Sequence, residues 1–147
     1  MIGTDDDGFG EEAQRGFAAD YSNTAHTDLQ AIVLMAYRYR CALTGAQFER
    51  PVLHLHADLD VVAIQPRDQG GPLAVANYLP MLFSLAGPFR DGLITIDDDF
   101  RILVPGRDLL DRDLLAALRI SLVVPEDALL RPAPAFLAHH RRYALGR

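Results

Sequence analysis

Between residues 61 and 104 the chain is cut into short apolar blocks by glycine, proline and aspartate. Pro66, the Gly70-Gly71-Pro72 cluster, Gly87-Pro88, Gly92 and the run Asp97-Asp98-Asp99 leave room only for short strands and short helices. The run VVAI (61–64) reads as a strand, and ITI (94–96) and RILV (101–104) read as two strands around an acidic turn. Residues 73–83 form a longer apolar stretch that reads as a helix, begun, bent or ended at Pro80. Just upstream, VLHLH (52–56) alternates as a strand would.

The flanks are more helical. Leu29, Ile32, Val33, Ala36 and Tyr37 recur at helical spacing behind a cap at Thr27 or Asp28, and the helix should stop near Arg40. Asp108 can cap a helix through Leu109, Leu110, Leu114, Leu115 and Leu118, SLVV (121–124) is a further strand candidate, and a last helix should open near Pro132–Pro134. The first 25 residues carry Asp5-Asp6-Asp7, Glu11 and Glu12 with few large apolar side chains, which predicts a flexible acidic arm over 1–25 ahead of one folded domain over 26–147. At 147 residues, half of them hydrophobic, the chain can bury one sizeable core.

Composition narrows the partners. The net charge is −6 and all 14 basic residues are arginine, so the global field opposes duplex DNA, although a local basic face can still meet phosphates. There is no run of 18 apolar residues and no signal-peptide pattern, and the single cysteine, Cys41, excludes a disulfide framework and a cysteine zinc site. These features predict a cytoplasmic protein without a membrane partner.

The order of several fragments resembles a bacterial HNH endonuclease family. Its pattern runs A-A-H-I-x-P, then N-G-L, then H-x-x-F-D-x-G-L and an acidic hairpin. Here Ile64, Pro66, Gly70, Gly71, Asn77, Leu79, Phe89, Gly92, Leu93 and the Asp97–Asp99 run match it. AYRYRCALTG (36–45) before it and RPAPAFLAHHRRYAL (131–145) after it are similar to the family's flanks, so the resemblance covers nearly all of the predicted domain. It implies an α+β domain with a ββα core and flanking helices. In such enzymes a histidine at the end of the first strand is the general base, an asparagine orients it or its loop, and a helix histidine helps hold one divalent metal.

This chain departs from that pattern at its chemistry. The two histidine positions hold Ala63 and Ala86, while Asn77 is retained. Alanine offers neither a basic lone pair nor a metal ligand, and loss of a general base alone costs about 10²–10⁴-fold in rate. Tyr78 replaces the glycine after the asparagine, Pro80 enters the following segment, and Arg90 takes the aspartate position, bringing positive charge toward the metal's usual place.

Other groups invite a functional reading, each with a plainer one beside it. His54 and His56 share one face of a strand and could rescue metal binding near Asp58 and Asp60, or could be exposed polar positions. Asp97-Asp98-Asp99 lacks the ligand spacing of a calcium loop and fits a turn. His139, His140, Arg141 and Arg142 form a basic cluster that could meet phosphate or an acidic partner, or complement a helix C-terminus. Arg67 and Arg90 are further phosphate or partner candidates. The expected function is therefore a catalytically inactive HNH-like domain that binds or regulates, through a protein partner or a second copy, with no cofactor. A DNA-binding pseudonuclease using its arginines on phosphates is the alternative. Third comes an active metal-dependent endonuclease with relocated ligands.

Overall fold

The computed structural model describes residues 25–49 and 58–145. Most of the acidic arm, the expected 52–56 strand, His54 and His56 lie outside the described residues. The described chain is a small mixed α/β fold: α1 (25–36), β1 (Leu59–Ala63), β2 (Tyr78–Leu82), α2 (Phe83–Arg90), β3 (Thr95–Ile96), β4 (Ile102–Leu103), α3 (Arg112–Ala117) and α4 (Pro134–Leu145). No helix among the described residues is long and apolar enough to cross a membrane.

Its centre is a ββα unit. β1 and β2 pair antiparallel, with Leu59 opposite Leu82 and Ala63 opposite Tyr78, and α2 follows β2 without a connecting loop. α2 has only 8 residues, holds Pro88 inside and lacks a side-chain cap, so local propensity cannot sustain it. Packing does: Leu85, Ala86 and Phe89 turn inward. Burying Leu85 and Phe89 contributes roughly 1.5–3 kcal/mol each.

Residues 73–83, expected to be helical, instead form a 3-10 turn at Val75–Asn77 and then β2. Pro80 is tolerated in this strand because of which way it faces. Its carbonyl accepts from the Ala42 N–H at 2.8 Å, and a strand residue's N–H and C=O point to the same side. The missing donor therefore falls away from β1.

α1 buries Leu29, Val33 and Leu34, with Tyr37 just beyond it, while Ile32 remains half exposed. It is already helical at residue 25, ahead of the expected cap at Thr27 or Asp28. Arg38 and Tyr39 then take left-handed backbone angles that turn the chain into the fully buried stretch 41–43. β3 and β4 form the expected hairpin, and Asp97 closes its turn by accepting from the Asp99 and Arg101 N–H groups, both at 2.8 Å. Asp108 lies in a 3-10 turn, and the cap of α3 is Asp111, which accepts from Asp113 N at 3.1 Å and Leu114 N at 3.3 Å. The SLVV segment makes only an isolated bridge, Ser121 to Arg101, although Leu122 and Val123 donate to Phe100 and Ala42 carbonyls. α4 opens at Pro134 and packs against β3.

Candidate functional site

The loop from β1 to β2 is held by one buried carboxamide. Asn77 accepts from the Gln65 N–H through Oδ1 at 2.9 Å, and its Nδ2 donates to the carbonyls of Gln65 at 2.9 Å and Pro72 at 3.1 Å. The Ile64 N–H donates to the Asn77 carbonyl at 2.8 Å, continuing the ladder past the strand end. Gly71 makes the closure possible: a Cβ there would lie 1.7 Å from the Gln65 carbonyl oxygen. Ile64, Pro66, Gly71 and Asn77 are thus parts of one structure that fixes the end of β1.

Ala63 is the last residue of β1 and lines a cleft of about 590 Å³ between the strand end, the 66–69 turn, α1 and α4. Arg67 and Arg90 line the same cleft. Arg90 approaches Asp60 at 3.4 Å, with the arginine side chain more exposed than the aspartate. So long and exposed a contact contributes little stability. Ala86, by contrast, is buried in the core on α2 and is not among the cleft-lining residues.

The C-terminal basic cluster divides by role. His140 is buried, stacks on Phe89 with centroids 4.0 Å apart, and places Nε2 2.7 Å from the Phe89 carbonyl. Burial holds it below the ordinary histidine range, and the neighbouring His139 and Arg141 add to this, whereas the bond to Phe89 opposes it. Arg141 ties α4 to the β3–β4 hairpin, donating to the Ile96 carbonyl at 2.6 Å and to Asp98 at 2.9 Å. Arg142 is exposed. His139 Nε2 meets Gln69 Oε1 at 2.7 Å, joining α4 to the turn that carries Arg67.

Among the cleft residues to which no sequence pattern points is a histidine. His26, near the start of α1, sets its ring edge-on to Tyr78 with centroids 6.3 Å apart, and Tyr78 stands directly across from Ala63. The Nδ1 atom of His26 is buried without a hydrogen-bond partner among the described residues. No motif links position 26 to position 63, so only the fold could bring them together. Among the described residues no three histidine, cysteine or acidic side chains gather to hold a metal ion.

The fold can be compared with solved structures. The chain is similar to a modification-dependent TagI restriction endonuclease, with a TM-score of 0.52 and 21% sequence identity over 76% of this chain. The likeness is one of fold. The chain corresponds to 35% of that enzyme's length, so the likeness concerns one portion of it. No family model matches the chain, and no curated protein matches it.

Proposed function

We propose that this chain is an HNH-type nuclease module that has lost hydrolysis and serves as a binding or regulatory domain. The observation that carries this reading is Ala63 on the cleft at the end of β1. The strand end is held by the Asn77 clamp, as a general base would require, yet the side chain presented there is a methyl group. Arg90 and Asp60 form an ion pair on the same cleft, where the HNH resemblance leads one to expect metal chemistry. A preorganised strand end without the histidine that the HNH resemblance puts there supports binding without turnover.

A protein partner or second copy is the first reading, because a net charge of −6 disfavours duplex DNA. Arg67 and Arg90 on one cleft favour a second reading, a DNA-binding pseudonuclease, to which the neighbour's name also lends support. Light scattering and gel retardation of a DNA duplex in chelator separate them. A stable dimer, or co-purification of a stoichiometric protein, with no retardation supports the first reading. Retardation that weakens steeply with salt supports the second.

A further inference from the structure

Three polar groups on the cleft are left without hydrogen bonds, and they lie around the place vacated at Ala63. The Nδ1 of His26 is buried and unpartnered among the described residues. Tyr78 is 2% exposed, lines the cleft, and its hydroxyl makes no hydrogen bond within the described residues. Arg67 lines the cleft as well and forms neither an ion pair nor a hydrogen bond among them. Burial raises the Tyr78 hydroxyl above its ordinary range and Arg67 opposes that rise, which brings the guanidinium within electrostatic reach of the phenol. None of the three is a residue that the HNH resemblance assigns to chemistry.

The groups share one chemical character. A guanidinium is a permanent donor, a phenol donates its O–H, and an imidazole donates Nδ1–H in one tautomer and whenever it is protonated. The His26 Nδ1 is buried without an acceptor, which costs free energy, and Arg67 is exposed on the cleft with its charge free to meet an anion, so a ligand that supplies acceptors is favoured there. Of the acidic residues on the cleft, Asp60 is already engaged by Arg90. A fixed positive charge with two further donors on the cleft suits a tetrahedral oxyanion, which offers more acceptor oxygens than a carboxylate.

We infer that Arg67, the Tyr78 hydroxyl and His26 Nδ1 form a metal-independent site for a phosphate group at the vacated strand end. This rests on the reading that the module no longer uses a metal there. The anion is bound, not cleaved. Asp68, adjacent to Arg67 on the cleft, keeps the affinity modest.

The test is thermal unfolding of the full chain with EDTA present, in sodium phosphate against sodium chloride of matched ionic strength. The unfolding temperature should rise with phosphate and saturate, because a ligand of the folded state stabilises it by mass action. Arg67→Gln should weaken phosphate binding by about tenfold or more. The double variant His26→Leu with Tyr78→Phe, which keeps similar side-chain volumes and removes both donors, should lose the shift. Sodium acetate should give a smaller rise. Competition by a DNA duplex assigns the group to a phosphodiester backbone, while competition by a mononucleotide alone assigns it to a terminal phosphate. No phosphate-specific rise, an equal rise with acetate, or the full rise retained in Arg67→Gln or in the double variant overturns the inference. Metal-dependent cleavage by the wild-type chain would sink the loss of hydrolysis while leaving the EDTA measurement to stand or fall by itself.

Discussion

Asn77 and Gln65 bond each other in both directions: the Gln65 N–H donates to Oδ1 and Nδ2 donates to the Gln65 carbonyl, each at 2.9 Å. Asn77 is fully buried, so its removal strands a backbone donor and two backbone acceptors. Asn77→Ala should destabilise the chain by about 3 kcal/mol, at 1–3 kcal/mol for each buried group left unpaired, part of it recovered by water. Urea unfolding measures this. A loss below about 1 kcal/mol would mean that the clamp is not what holds the strand end.

Two glycines give a contrasting pair. Gly71→Ala forces a Cβ to within 1.7 Å of the Gln65 carbonyl oxygen, and backbone cannot yield that far while the clamp persists. Gly87 lies inside α2 with nothing within 4 Å of its would-be Cβ. Gly87 precedes Pro88, whose ring disfavours helical angles in a residue that carries a Cβ, so the propensity gain of Gly87→Ala is offset and its midpoint should stay near wild type, while Gly71→Ala should lower the unfolding midpoint well below the wild-type value. Differential unfolding of the two variants checks the contrast.

The elements that were legible are those whose pattern is local. The 61–64 run gives β1, the acidic turn gives the β3–β4 hairpin, and Pro134 opens α4. β2 was not legible. It is buried on nearly every position, so its residues form a continuous apolar run that periodicity cannot distinguish from a helix, and Pro80 argued against a strand. What admits Pro80 is the orientation of its carbonyl toward Ala42, a tertiary fact. Ala63 on the cleft could be anticipated from the sequence pattern, whereas His26 beside Tyr78 could not, because their proximity depends on α1 packing over the sheet.

Tyr37 carries a buried hydroxyl with no hydrogen-bond partner among the described residues, and burial pushes its ionisation far above the usual tyrosine range. Removing the oxygen while keeping the ring should help. Tyr37→Phe should stabilise by about 1 kcal/mol, read from the urea midpoint. Destabilisation would show that the hydroxyl is satisfied in solution.

His140 makes stability depend on pH. Its folded value lies below the ordinary histidine value, chiefly through burial, so the unfolded chain binds more protons at mildly acidic pH. The stabilisation is complete above the ordinary value, about 6.5, and is lost as pH falls from there through the depressed folded value. His140→Phe should flatten the fall in urea midpoint between about pH 7 and pH 5. An unchanged slope in the variant would place the pH dependence elsewhere.

The proposed loss of hydrolysis rests on Ala63, whose methyl group stands at the end of β1 on the cleft. The most direct measurement is plasmid DNA incubated with the full chain and Mg²⁺, Mn²⁺ or Ni²⁺, followed by gel electrophoresis. The account predicts supercoiled plasmid unchanged beyond the protein-free control with each metal. Metal-dependent nicking by the wild-type chain that EDTA stops and His54→Ala abolishes would contradict it.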